Sequence, residues 1–368
     1  MVSTLCEELK NHISTNVYVH GWHYYKQEYT KVNSLIIIKG RLRPLYVKKK
    51  FLKSFVAWIV HLPSTLYNLN KLSKNLGINI IHINYLCEEH IHFCLLRLLG
   101  GPKYIVTFHG SDINKYNERH WLSRLLCRIT INNASGLTAV SRALANSAEL
   151  MLSKRVATIT NGLSPSKYDA NVSVDVYTKK KPFVLCVGGI IPVKGHDIAI
   201  RAWEKILKNA PDWNLLIAGD GYCRNEFEAL SKSLNCEDRI HWLGILSNQQ
   251  VFALMREAEI MILPSRNEGL PCVLLEAGLA SLPVVACNVG GVSEVVTDGY
   301  NGRLVPPEDP NEMSRVIMDL VNNKSVREKL GKALRETILQ GFSSERMAMN
   351  YIEYYGVFAN ERSQAIPL

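Results

Sequence analysis

Residues 260–281 read Ile-Met-Ile-Leu-Pro-Ser-Arg-Asn-Glu-Gly-Leu-Pro-Cys-Val-Leu-Leu-Glu-Ala-Gly-Leu-Ala-Ser, a strand, a loop and a helix in direct succession. The four apolar residues 260–263 have no polar alternation, which suits a strand of a parallel sheet covered on both faces. The polar loop that follows ends at Gly269, and the pattern predicts a helix over 272–281 with Pro271 at the first helical position. A helix that starts there leaves N–H groups unsatisfied and directed ahead, an end that attracts phosphate or other electron-rich oxygens. Glu276 is the unusual residue: between Gly269 and Ser293 it is the only charged side chain, and its neighbours from 273 to 280 are apolar. An ionised carboxylate in such a run is costly unless several donors satisfy it. It is either a structural Glu with a distant partner or an acceptor for the hydroxyls of a ligand.

The same grammar extends in both directions. Strands are expected at 183–187, 213–218, 240–243 and 284–286, with helices at 197–208, 224–234 and 249–257. Upstream, strands at 78–83, 104–108, 136–140 and 155–160 alternate with helices at 88–99 and 121–132. Strands alternating with helices imply parallel sheets, and 368 residues suffice for two such domains. A polar stretch around 164–181 reads as the linker between them. The domains expected are therefore 1–178 and 179–345, followed by a helical segment 346–368. The chain opens with a helical pattern (2–11) and a strand (17–19), so the first sheet is expected to lack its first strand and the chain to begin inside that domain.

In open α/β sheets, ligands bind beyond the carboxyl ends of the strands. Glycine-rich or polar loops fall at that edge five times: His109-Gly110-Ser111-Asp112, Gly188-Gly189 with Lys194-Gly195, Gly219-Asp220-Gly221, Pro264–Glu268 and Gly290-Gly291. Lys194 lies between close-approach glycines, where a lysine serves as counter-charge to a diphosphate rather than as an inert surface cation. There is no Walker P-loop, and Gly219-x-Gly221 is not completed to a dinucleotide fingerprint, which disfavours a dehydrogenase. No Asp-x-Asp and no metal-spaced His/carboxylate set occurs, so no obligatory metal is expected. His109 is either a satisfied structural histidine or a site residue; no Gly-x-Ser-x-Gly elbow makes it part of a hydrolase triad.

From about Ile78 to about Arg346 the chain resembles the retaining glycosyltransferases of family 4. Glu268 to Glu276 matches their Glu-x7-Glu motif, Pro192-Val193-Lys194-Gly195 their Lys-Gly loop, and Gly290–Glu294 their Gly-Gly-x-x-Glu. His109–Asp112 matches their His-Gly-Ser-Asp, and Asn161-Gly162 their Asn-Gly at the domain edge. The resemblance implies the GT-B fold: α/β, with two Rossmann-like, doubly wound parallel-sheet domains and an interdomain cleft. It implies a catalytic set of His109, Lys194 and Glu268, with the nucleotide-sugar as substrate and no cofactor. Donor-binding positions would be Gly188, Gly189, Lys194, Gly219, Leu243, Glu268, Gly269, Leu270 and Glu276. Among these, Lys194 neutralises the diphosphate, Glu276 holds the ribose, Glu268 faces the donor sugar, and the backbone at Leu243-Gly244 meets the base. Many relatives carry Gly-Arg where Gly188-Gly189 stands, so a second phosphate-binding cation is missing or supplied elsewhere. Transfer to a glycan or lipid-linked acceptor in surface polysaccharide or glycolipid assembly is expected. The alternative is an impaired homologue that binds nucleotide-sugar in support of a partner enzyme.

Residues 1–180 hold 24 Lys+Arg against 10 Asp+Glu, and residues 181–368 hold 19 against 23. One basic half suggests that one domain faces an anionic partner. Lys48-Lys49-Lys50, followed by Phe51, Lys53, Phe55 and Trp58, suits an anionic membrane surface better than nucleic acid, for which no motif is present. Should Phe55 and Trp58 pack inward, the lysines merely solvate a helix. Nine scattered cysteines with no Cys-x-x-Cys, an acidic start and no long apolar run point to the cytoplasm, with a peripheral place at the inner face of the membrane.

Overall fold

The computed structural model describes residues 2–20, 28–32, 35–40, 42–45, 51–168, 172–174 and 179–359. The chain divides into two compact units, one of Met1–Thr160 with Ser344–Leu368, the other of Asn161–Ser343.

The described strands of the first unit form two sheets. One is β1 (Asn16–His20), β2 (Glu28–Val32) and β3 (Leu35–Gly40), with β3 central, parallel to β1 and antiparallel to β2. The other is wholly parallel, in the order β4 (Ile80–Asn84), β5 (Lys103–Phe108), β6 (Gly136–Ala139), β7 (Ala157–Thr158). The unbroken first sheet expected from the sequence is thus two sheets, and the strand expected over 155–160 is two residues long. Around them lie helices α1 (Val2–Leu9), α2 (Phe51–Asn75), α3 (Ile91–Leu98), α4 (Ser111–Asn114), α5 (Trp121–Asn133) and α6 (Arg142–Leu152).

The second unit holds one six-stranded parallel sheet in the order β10-β9-β8-β11-β12-β13. Its strands are β8 (Phe183–Val187), β9 (Asn214–Ala218), β10 (Ile240–Gly244), β11 (Ile260–Leu263), β12 (Val284–Cys287) and β13 (Arg303–Val305). β9, β11 and β12 are buried at every position; β11 and β12 are uninterrupted apolar runs, as a covered sheet requires, and β9 is apolar after Asn214. The covering helices are α7 (His196–Leu207), α8 (Arg224–Ser233), α9 (Asn248–Glu257), α10 (Cys272–Leu279), α11 (Pro310–Asn322) and α12 (Lys324–Gly341). Local chemistry starts them: Ser247 and Gln250 form a reciprocal capping box for α9. Asp309 accepts from two N–H groups of α11, which has Pro310 at its first position. Trp203, fully buried on α7, anchors the core together with Ile198, Ile217, Ile262 and Ile317.

The boundaries differ from those expected. Asn161–Tyr168 belongs to the second unit, because Asn161 and Tyr168 bond to side chains of α10. Of the expected linker, 169–171 and 175–178 lie outside the described residues. The terminal helix α13 (Ser344–Ala359) is no separate segment but part of the first unit, where Met347, Ala348 and Tyr351 share a core with Leu5, Leu9 and Ile159.

Polar groups complete that docking. On β4, His82 Nδ1 lies 2.8 Å from the Tyr355 hydroxyl and Nε2 lies 2.6 Å from Thr107 Oγ1. Thr107 Oγ1 in turn lies 3.2 Å from the Tyr351 hydroxyl. Burial, with the nearby imidazole of His109, lowers the pKa of His82 to about 3, so the ring is neutral. Tyr355→Phe takes the partner from a half-buried ring nitrogen, and thermal unfolding should show a loss of about 1 kcal/mol. An unchanged melting curve would mean that apolar packing alone holds α13.

Lys48, Lys49 and Lys50 lie outside the described residues. Trp58 turns inward: its Nε1 is buried and its ring packs 5.8 Å from that of His92 on α3. Phe55 stays at the surface, 36% exposed. Among the described residues no helix is long and apolar enough to cross a membrane.

Candidate functional site

The expected donor-side residues all fall at one edge of the second unit. Gly188 and Gly189 follow β8, Gly219 follows β9, Leu243 is the last residue but one of β10, and Glu268–Leu270 lies between β11 and α10. Backbone contacts draw these loops together: the Gly188 N–H donates to Ala218 O at 3.0 Å and the Gly219 N–H to Gly244 O at 2.8 Å. Two left-handed glycines bring the remaining loops in. Gly195, at φ 67°, sits so close to Pro264 that a Cβ would overlap its carbonyl oxygen, and Gly290, at φ 52°, stands in the same relation to Glu268. No other residue fits either place without moving the backbone.

At the centre of this edge the Lys194 ammonium donates to Glu268 Oε1 at 2.7 Å, across 74 residues of sequence. The Ser265 hydroxyl donates to the same oxygen at 2.7 Å. The Glu268 side chain is 8% exposed and that of Lys194 30%, so the carboxylate is sheltered while the cation keeps an open side. Gly269 and Leu270 are buried behind it, with Gly269 O accepting from the Gly291 N–H at 3.0 Å. Arg266, in the same loop as Glu268, is held by carboxylates of its own. Its guanidinium grips Asp197 through two 2.8 Å bonds and pairs with Glu308, which fixes the loop in place. Arg224, just beyond Gly221, is likewise paired, with Glu228 at 2.8 Å.

Helix α10 begins at Cys272, and Pro271 is its N-cap rather than its first residue, with ψ 110°. Within it, Glu276 has a partner that the sequence did not suggest: the Tyr168 hydroxyl donates to Oε1 at 2.8 Å. Tyr168 rests its ring on Phe252 of α9, with centroids 4.6 Å apart. Burial raises the Glu276 pKa above the ordinary 4.5, and the bond from Tyr168 pulls it back. Tyr168 and Ser265, which bond the two candidate glutamates, are the residues that sequence reasoning missed. Ser265 stood inside the flagged loop, whereas Tyr168 stood in a presumed linker without periodicity.

His109 belongs to the first unit, at the end of β5. Asp112, buried, accepts from the N–H groups of His109 and Gly110 at 3.0 and 2.9 Å and from Leu86 at 3.4 Å, tying the loop after β5 to the loop after β4. His109 Nε2 lies 2.9 Å from Asn84 Oδ1, and its ring stacks on that of Tyr85 at 4.0 Å. Tyr85 is in the left-handed region at φ 58°, a strained place for a bulky residue of the kind found at functional loops. Burial lowers the His109 pKa to about 4, so the imidazole is neutral at physiological pH.

The chain matches two family models, "Glycosyltransferase Family 4" over residues 2–167 and "Glycosyl transferases group 1" over residues 172–337. It is 31% identical over 300 residues to an uncharacterised glycosyltransferase of Methanocaldococcus jannaschii, covering 79% of this chain and 80% of the relative. It is 26% identical over 306 residues to the N-acetyl-alpha-D-glucosaminyl L-malate synthase of Bacillus anthracis, covering 80% and 79%. Among solved structures, the sucrose-phosphate synthase of Thermosynechococcus elongatus superposes with a TM-score of 0.80 at 21% identity, covering 97% of this chain and 92% of that one. HepE of Anabaena, solved in complex with UDP-glucose, superposes with a TM-score of 0.73 at 18% identity, covering 88% and 86%.

Proposed function

The chain belongs to the glycosyltransferases of family 4, with the GT-B fold, and from that premise we propose that it transfers a sugar from a nucleotide-sugar to a glycan or lipid-linked acceptor with retention of anomeric configuration. The observation that carries this reading is the Lys194–Glu268 pair at the carboxyl edge of the six-stranded sheet, one side of the ammonium being open. A fixed cation beside a sheltered carboxylate is suited to meet a diphosphate on one hand and sugar hydroxyls on the other. Two left-handed glycines, Gly195 and Gly290, let the flanking loops close against Pro264 and Glu268 and so fix the backbone around the pair. The UDP-glucose complex of HepE supports a nucleotide-sugar donor.

The chemistry this arrangement offers is stabilisation of the departing diphosphate. As the glycosidic bond to the donor breaks, negative charge grows on the leaving phosphate oxygen, where Lys194 lowers the barrier without reorganising. Glu276 holds the nucleotide by its ribose hydroxyls, and the acceptor is positioned for attack on the same face. His109, neutral and held by Asn84 at the end of β5, offers a hydrogen-bonding group rather than a cation. No metal, cofactor or nucleic acid enters this reading, and the reaction belongs to surface polysaccharide or glycolipid assembly at the cytoplasmic side.

The test is a panel of nucleotide-sugars assayed for nucleotide release with and without acceptor glycans, with the anomer of the product read by NMR. Release from one donor, unaffected by EDTA and giving the retained anomer, is the expected result. An inverted product or a requirement for a divalent ion would overturn the mechanism. Binding of nucleotide-sugar without turnover on any acceptor would favour the supporting, non-catalytic role.

A further inference from the structure

We propose that α2 is an interfacial helix whose exposed apolar flank inserts into an anionic lipid bilayer. The inference is independent of the donor site and rests on three observations in the first unit. Leu52, Val56, Ile59, Val60 and Tyr67 recur at helical spacing and share one flank of α2. They are 74, 51, 50, 66 and 65% exposed. Leu69 and Ser73, on the neighbouring face, are buried, so α2 already has an inward side and this flank is additional to it.

Beside the flank, at the end of α3, lies an apolar groove. Leu62, Leu66 and Tyr67 of α2 face Leu96 and Leu99 across an open groove of about 360 Å3, and Leu99 itself is 71% exposed. Apolar side chains exposed side by side along one flank form a patch rather than scattered surface residues.

Charge selects the occupant. From Tyr29 through Cys87 the chain carries ten Lys and Arg and not one Asp or Glu. Lys53, Lys71 and Lys74 lie on α2 itself. A second copy docking by the same flank would bring these cations together. A polyanion would satisfy the cations yet leave the apolar flank in water. An anionic bilayer satisfies both, with lysines at the headgroups and aliphatic side chains at the acyl boundary. α2 does not qualify as a spanning helix, so it lies on the membrane instead of crossing it.

The experiment is co-sedimentation of the full chain with vesicles of phosphatidylcholine alone or with about one third phosphatidylglycerol. Anionic lipid should raise the bound-to-free ratio at least about tenfold, and salt should reverse it. The double substitution Val56→Asn/Val60→Asn, at exposed positions, should keep the melting temperature and lower the ratio by about tenfold. Lys53→Gln/Lys71→Gln/Lys74→Gln should lower it comparably. A single Val60→Trp substitution gives a readout that needs no loss of binding: its added fluorescence should be quenched by acyl chains carrying bromine. The proposal is overturned by wild-type protein that ignores anionic vesicles at low salt. It is overturned equally by Val56→Asn/Val60→Asn binding as wild type, by an unquenched Val60→Trp, or by a wild-type dimer in ultracentrifugation that the double substitution dissolves.

Discussion

Lys194→Ala should weaken binding of a nucleotide diphosphate, with UDP as the probe, on the order of a hundredfold, the ~2–3 kcal/mol of a charge-assisted hydrogen bond. The same substitution has a second consequence, because Lys194 is the ion-pair partner of a carboxylate only 8% exposed. Without the ammonium, Glu268 keeps the Ser265 hydroxyl alone. A lone sheltered charge destabilises by up to ~3–5 kcal/mol when burial is complete; here Lys194 is itself 30% exposed, and the loss should be smaller. The two effects separate in the double variant Lys194→Ala/Glu268→Gln. Neutralising Glu268 removes the stranded charge, so the melting temperature should recover while UDP affinity stays low in calorimetry. If affinity is unchanged in Lys194→Ala and only the melting temperature falls, Lys194 is a structural partner of Glu268 and leaves the donor site.

Glu276→Gln should cost donor affinity about 10- to 100-fold, the range for hydrogen bonds to a charged group, while leaving the fold intact. The amide retains an oxygen for the Tyr168 hydroxyl, so the bond across to Tyr168 survives. The pH dependence carries the sign. Because burial raises the Glu276 pKa above 4.5, the protonated form suits the fold better. That contribution to stability is full below the unfolded pKa and is lost as pH rises through the raised value. Ligand hydroxyls, in contrast, need the ionised acceptor, so donor affinity should fall as pH drops through the same raised value. Glu276→Gln should abolish this acid limb of affinity. A purely structural Glu276 predicts the reverse: altered thermal stability with donor binding and its pH profile unchanged.

The strands of the second unit were legible because a parallel sheet covered on both faces demands unbroken apolar runs, and Phe183–Val187 and Ile260–Leu263 are just that. The glycine loops were legible for a related reason: only glycine tolerates the backbone positions at 195 and 290, so the need is written locally. The long helix α2 was not legible. Pro63 stands inside it, where a proline reads as a helix end, and its apolar residues cover more than the face that packs, which blurs the inside–outside contrast that periodicity relies on.

By itself, the sequence determined the alternation of strands and helices, the apolar cores of the sheet strands and the presence of an isolated carboxylate at position 276. Each is a demand that neighbouring residues place on one another. Tertiary structure alone decided that Lys194 meets Glu268 across 74 residues, that Tyr168 meets Glu276 across 108, and that His82 meets Tyr355 across 273. It also decided that the terminal helix belongs to the first unit, its tyrosines finding polar partners on β4 and β5. Such pairings depend on where the chain returns in space, and a hydroxyl or an ammonium carries no local mark of the partner it will find.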